Sequence, residues 1–185
     1  TFFCGSGTVQ FDTLVLSTMP IDSILWKFKS DVDSFTSNVL NPSITFDSIG
    51  FYDVTLIIGN GFCLDSITKP NFIQIAAVPV ASMYIPATPI CVNSSVQFVD
   101  NSTISSGSID LWHWSDTISY NDFNQNPASY SNNVGEHYIE LIVTSDYLCS
   151  DTTSQVITIH PLPTIDFAVS DTFVCTNQTI TFTNF

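Results

Sequence analysis

The chain has 185 residues, 44% of them hydrophobic and 13% aromatic, with 17 acidic against 3 basic side chains and a formal net charge of −14 at pH 7. Lys27, Lys29 and Lys69 cannot build the basic surface that a phosphate backbone or an anionic bilayer requires, which argues against nucleic-acid and membrane-surface partners. Ile, Val and Phe dominate over Ala and Glu, a balance that favours strands and turns over helices and predicts an all-β protein.

A cysteine-started phrase opens the chain and returns twice. Cys4 begins Cys-Gly-Ser-Gly-Thr-Val-Gln-Phe, Cys91 begins Cys-Val-Asn-Ser-Ser-Val-Gln-Phe, and Cys175 begins Cys-Thr-Asn-Gln-Thr-Ile-Thr-Phe. The starts are 87 and 84 residues apart, so the chain reads as an array of units of about 85 residues. After the Val-Gln-Phe strand comes Ile24–Phe28, matched by Asp110–Trp114; alternation puts Trp26 with Phe28 and Trp112 with Trp114 on one face. A turn at Asn41-Pro42 or Asn126-Pro127 follows.

Next, Gly50–Ile58 matches Gly135–Val143, and Tyr52, Val54 and Leu56, with Tyr138, Ile139 and Leu141, are read as the inward set of a half-buried strand. A short loop holding Cys63 or Cys149 leads to a last strand at Phe72–Ile75 or Val156–Ile159. The joins Ala76–Pro79 and His160–Pro163 are short and proline-stiffened, which suits a semi-rigid rod.

Roughly seven short strands per unit predict tandem immunoglobulin-like antiparallel β-sandwiches. The expected organisation is a first repeat over 1–76 lacking most of its first strand, a complete repeat over 77–161 and the first strands of a third over 162–185. In immunoglobulin lettering the second unit has strand A near Val80–Ile85, B near Val96–Asp100, C near Leu111–Ser115, F near His137–Thr144 and G near Ser154–His160. No apolar run reaches the ~18 residues of a membrane-spanning helix. The chain begins inside one repeat and ends inside another, so it is expected to be an excerpt of a longer protein whose targeting signals lie elsewhere.

The order Val-Gln-Phe, Trp-x-Phe/Trp, Asn-Pro and Gly-x-x-Tyr-x-Val/Ile-x-Leu resembles the polycystic kidney disease (PKD) domain. It is most similar to the cysteine-bearing version repeated in large Bacteroidetes surface proteins, gliding-motility adhesins included. The resemblance covers residues 4–185, with one departure. Where PKD domains read Trp-Asp-Phe-Gly-Asp-Gly, this chain has Trp26-Lys27-Phe28-Lys29-Ser30-Asp31 and Trp112-His113-Trp114-Ser115-Asp116-Thr117. The resemblance implies non-catalytic stalk repeats at the bacterial cell surface, with neighbouring repeats and outer-membrane secretion or motility machinery as partners. An ancillary module of a secreted polysaccharide-degrading enzyme is the alternative.

Catalytic signatures are missing from the sequence: there is no Gly-x-Ser-x-Gly, no His-Glu-x-x-His and no phosphate-binding glycine loop. His113, His137 and His160 lack metal-ligand spacing, and His113 and His137 are expected to face solvent. No cofactor is implied. Asp100, Asn101, Asp110, Asp116 and Asp122 leave a structural calcium open, although their placement in turns has a backbone explanation. Trp26, Trp112 and Trp114 could form a sugar platform, but position assigns Trp26 and Trp112 to the core.

Each full repeat has one cysteine before strand B and one between F and G. Pairing within a repeat, Cys4–Cys63 and Cys91–Cys149, is the obvious arrangement, yet a sandwich puts those loops at opposite ends, about 20 Å apart. A disulfide needs Cα atoms within ~7 Å. Head-to-tail units would instead bring Cys4 to Cys149 and leave Cys63 and Cys91 to partners outside the chain. That inter-repeat pairing is favoured, with intra-repeat pairs and free thiols left open. The resemblance further implies O-glycosylation at Asp-Ser/Thr-aliphatic/Thr acceptors, here Thr13, Ser23, Ser48, Ser66, Thr117 and Thr152, with Ser48, Ser66 and Thr152 best placed beside turns.

Overall fold

The computed structural model describes residues 1–14, 20–86, 89–116, 120–130, 133–170 and 172–184, and every regular element among them is a strand. The first group comprises β1 (Phe2–Cys4), β2 (Gly7–Gln10), β3 (Ser23–Lys29), β4 (Ser34–Ser37), β5 (Ser43–Phe46), β6 (Gly50–Gly59) and β7 (Leu64–Ala76). One sheet runs β1-β7-β6-β3-β4 and faces the pair β2-β5. The β1–β7 pairing is parallel and the others are antiparallel. The inward residues form one aromatic core in which Phe28, Phe46 and Tyr52 are fully buried and Phe11 and Trp26 nearly so.

The second group comprises β8 (Met83–Tyr84), β9 (Ile90–Cys91), β10 (Ser95–Gln97), β11 (Val99–Asp100), β12 (Ile109–Asp116), β13 (Asn121–Asp122), β14 (Ala128–Tyr130), β15 (Gly135–Ser145) and β16 (Ser150–His160). Its large sheet, β13-β12-β15-β16-β9, repeats the order of the first unit. Strand A is split: β8 pairs with β11, and then β9 crosses to lie parallel to β16. Ile85, Phe98, Trp114, Ile139, Leu141 and Val143 make a second, separate core. Finally, β17 (Phe167–Val169) and β18 (Phe182–Asn184) pair as β8 and β11 do: Phe167 lies opposite Asn184 as Met83 lies opposite Asp100.

The repeated motif has a physical reason. The glutamine of Val-Gln-Phe reaches the Asn-Pro turn that leads into the neighbouring strand of its own sheet, Gln10 Nε2 donating to Asn41 O at 3.0 Å and Gln97 Nε2 to Asn126 O at 2.8 Å. The phenylalanine N–H groups then donate to the proline carbonyls, Phe11 to Pro42 at 2.9 Å and Phe98 to Pro127 at 3.0 Å. The asparagine side chains accept from Thr13 N and Asp100 N. Two sequence motifs some thirty residues apart are therefore halves of one clamp, each satisfying backbone groups of the other.

Two expectations need correction. The last strand of the first unit runs through Leu64–Ala76 and not only Phe72–Ile75. Pro70, which has no N–H for the ladder, is tolerated because the register shifts between Tyr52 and Val54, where Asn71 takes φ 50° and donates its N–H to Asp53. His137, expected in solvent, is 2% exposed, whereas Tyr138 is 46% exposed and bonds Ser154 outside the core. His137 is the counterpart of Tyr52. Tyr52 Oη donates to Ser48 O at 3.0 Å, and His137 Nε2 lies 3.0 Å from Asn133 O, each contact closing onto the residue four positions earlier. A phenol and an imidazole thus fill one structural role, which the tyrosine-based reading of the strand missed. His113 is half-buried, its ring stacked on Phe123 with centroids 4.9 Å apart.

Candidate functional site: the stapled joint

The feature that sets this chain apart lies between the two sandwiches. Cys4 ends β1 opposite Ala76, at the C-terminal end of β7, where the chain leaves the first unit. Gly5 holds that corner: its N–H donates to Ala76 O at 2.8 Å, its φ is +75°, and a Cβ there would come 3.3 Å from a methyl of Val78. Cys149 closes the turn between β15 and β16, with Ser145 N donating to Cys149 O at 2.8 Å and Leu148 in the left-handed region at φ 61°.

Cys4 and Cys149 are joined by a disulfide with Cα atoms 5.6 Å apart, across a sequence separation of 145 residues. The intra-repeat alternative, Cys4–Cys63 with Cys91–Cys149, is not formed. Cys63 lies beyond the far end of the 13-residue β7, about 40 Å from Cys4 at the rise of an extended strand. Around the bond, the ring of Phe2 stacks on Tyr147 at 6.4 Å, while Ala76, Ala77 and Pro79 of the connecting segment are buried. The joint is a packed contact with a covalent staple.

A related arrangement recurs at the free cysteines, with the Cys63 turn one residue shorter than that of Cys149. Cys91 pairs with His160 at the end of β16, and Val92 N donates to His160 O at 2.9 Å, as Gly5 N does to Ala76 O. Cys63 closes its turn with Asn60 N donating to Cys63 O, as Ser145 N does to Cys149 O. Cys63 and Cys175 are exposed and Cys91 is half-buried, all three as free thiols.

The residues considered for other chemistry are spread apart. Trp26 and Trp114 are in the cores, and Trp112 is half-buried with its indole N–H on Asp100 Oδ2 at 2.7 Å, so the tryptophans form no exposed platform. Among the calcium candidates, Asp100 also accepts from Gln125 and from Ser102 N, Asp110 accepts from Ser108, and Asp122 accepts from Asn124. Asp116 accepts from Tyr120 N and lies 3.4 Å from His137. Among the described residues no three metal-ligating side chains converge. Of the proposed acceptor residues, Ser23, Ser66 and Thr152 are exposed, Ser48 is half-buried, and Thr13 is half-buried with its hydroxyl bonded to Leu40 O. Thr117 lies outside the described residues.

Sequence reading passed over Tyr120. Its hydroxyl is buried with no hydrogen-bond partner among the described residues, and its ring meets Phe98 edge-on at 5.7 Å. Burial, then the Asp122 and Asp116 carboxylates, push its pKa up to about 12. The folded value lies above the unfolded one of ~10, so this contribution to stability is intact below pH ~10 and is lost as the pH rises towards about 12. Tyr120→Phe keeps the ring contact and removes the titration. An alkaline unfolding curve should show the variant holding its stability in that window while the parent chain loses it.

No family model matches the chain, and no curated protein matches it either. Among solved structures it is similar to the PKD1 domain of the Vibrio cholerae metalloprotease PrtV. That match has 25% identity and a TM-score of 0.41, and covers 45% of this chain and 98% of that one. The PKD1 domain of Vibrio anguillarum Epp gives 19% identity over 46% of this chain and 96% of that one, with a TM-score of 0.41. Fibronectin(III)-like modules of Clostridium thermocellum CbhA give 12% identity over 86% and 89%, with a TM-score of 0.42.

Proposed function

We propose that the chain is a run of PKD-type spacer units in a large extracellular adhesin, and that its work is mechanical. The observation that carries this reading is the staple across the joint. A pull applied at the two ends passes through residues 1–4, the Cys4–Cys149 bond and the residues after 149, bypassing everything between them. Residues 5–148, which hold all of the first sandwich after β1 and the second as far as β15, cannot be drawn out while the bond holds. Strand β16, which follows Cys149, stays in the path of the load. A disulfide as a permanent part also fits an oxidising, extracellular setting. Cys91 and Cys63 repeat the two halves of the staple, so further joints of the same kind would use Cys91 towards the next unit and Cys63 towards the one before. Such bonds would overlap along the array, because each spans most of two units.

The domain boundaries 1–76, 77–161 and 162–185 belong to this proposal, as do surface display and contact with secretion or motility machinery. Glycans at Ser23, Ser66 and Thr152 would sit on exposed strand positions, and the intact mass of the protein purified from its host would equal the bare chain if none is added. An ancillary module of a polysaccharide-degrading enzyme is the second reading. The composition of the intact gene product separates the two. Many copies of this repeat support the adhesin, and one to three copies beside a catalytic domain overturn it.

A further inference from the structure

The charges of this chain are unevenly placed. All three lysines belong to the first sandwich, and residues 77–161 carry eight acids and no lysine or arginine. Lys27 and Lys29 alternate along β3 with the buried Trp26 and Phe28, so both stand exposed on the outer face of the five-stranded sheet. They occupy the positions where the PKD pattern reads aspartate and glycine. Their cross-strand neighbours are short and polar, Thr36 and Thr55 beside Lys27 and Ser34 and Asp53 beside Lys29. Asp53 accepts from Asn71 N, and the one acid–base contact among the described residues is that of His137 with Asp116. Two cations of a strongly acidic chain thus share one open face without a carboxylate partner.

The outer face of the second sheet has the opposite sign. Glu136 and Glu140, the only glutamates of the chain, alternate along β15 with the buried His137, Ile139 and Leu141. Between them lies Tyr138, 46% exposed, whose neighbour Val156 on β16 is 53% exposed. This face is an apolar centre flanked by two carboxylates. Both faces are built from residues well inside the chain, and both are open to solvent.

We infer that the lysine face of the first sandwich is a docking surface for the glutamate face of the second sandwich in another copy of this chain, so that copies associate side by side. Sheets packed face to face lie ~10 Å apart, and the serine and threonines around the lysines leave room for Tyr138 and Val156 to reach the opposing face. Along their strands the two lysines are ~7 Å apart and the two glutamates ~14 Å. Four-carbon stems let the ammonium groups lean apart, one to each carboxylate, with the Tyr138 ring between them. Such pairs fix register and choice of partner more than strength. Like faces reject each other, because lysine would meet lysine and glutamate would meet glutamate. The net charge of −14 repels copies at a distance, yet at ~0.15 M salt that repulsion is screened beyond ~8 Å while contacts within the face survive. The docking surface is separate from the load path through the Cys4–Cys149 bond, and neither depends on the other.

The test uses the full chain with Cys63, Cys91 and Cys175 alkylated without reduction, so that new disulfides cannot form. At ~0.15 M salt, light scattering should give a mass that rises with concentration above the 20.4 kDa of one chain. Lys27→Glu with Lys29→Glu makes both faces acidic, and Glu136→Lys with Glu140→Lys makes both basic. Each double variant alone should therefore stay at one-chain mass. An equimolar mixture of the two should associate again, because each supplies the face the other lacks, and so should a chain carrying all four reversals. Lys69→Glu, on the inner side of the sheet opposite Val54, changes the net charge without touching either face and should associate as the parent does. A parent chain that stays at one-chain mass up to about 1 mM overturns the inference. So does a double variant that still self-associates, a mixture that stays monomeric, or a Lys69→Glu chain that no longer associates.

Discussion

Replacing both Cys4 and Cys149 by serine should cost up to about 5 kcal/mol of overall stability, the constraint that closing a loop of this length places on the unfolded chain. The figure is a ceiling, because each sandwich has its own core and either could unfold while the other stays folded. The shape of the transition is therefore the sharper readout. With the staple in place, unfolding of either unit is felt at the joint, where Phe2 packs on Tyr147 and the connecting alanines are buried. Without it, urea unfolding followed separately by Trp26 and Trp114 fluorescence should resolve into two independent steps. Coincident steps of unchanged midpoint in the serine variant would show that the bond contributes nothing to the joint.

Trp114→Ala should destabilise the second unit by about 3–5 kcal/mol, the usual range for emptying a buried large aromatic site. Trp114 is fully buried, stacks on Phe98 at 5.4 Å, and its indole N–H donates to Gln125 O, which would be left without that donor. The neighbouring Leu111→Ala, at a position 58% exposed on the same strand, should stay within about 0.5 kcal/mol. Urea titration of the two variants checks the contrast. Because the cores are separate, the midpoint of the first unit should not move with Trp114→Ala. Equal losses for the two variants would place the core on the wrong face of β12.

Alternation and repetition made most of this fold readable. Trp26 with Phe28, the two Val-Gln-Phe strands and the Asn-Pro turns occupy the positions their spacing implies. The staple was readable too, since two loops at opposite poles of one sandwich can meet only across a joint. Other features were hidden for identifiable reasons. His137 takes the place of Tyr52, and a strand containing Tyr138 beside Ile139 carries apolar residues in both phases, so alternation alone could not decide which of them faced inward. Read from sequence, the last strand of the first unit begins only at Phe72, because Pro70 inside a ladder requires a bulge that only the register shift reveals. The burial of Tyr120 depends on what lies across space from it, which neither periodicity nor motif spacing records.

The central claim is that the Cys4–Cys149 bond carries load past the first sandwich and past the second as far as β16. It is tested most directly by stretching single molecules held at their two ends, with and without a reductant. Bypassing 145 residues hides about 500 Å of extended chain. The oxidised molecule should never release that length, and reduction should release it as the two sandwiches unfold. Intra-repeat pairing would instead leave the segment from Cys63 to Cys91 free to extend by about 100 Å under oxidising conditions. That release, or an oxidised molecule that extends as far as the reduced one, would contradict the account.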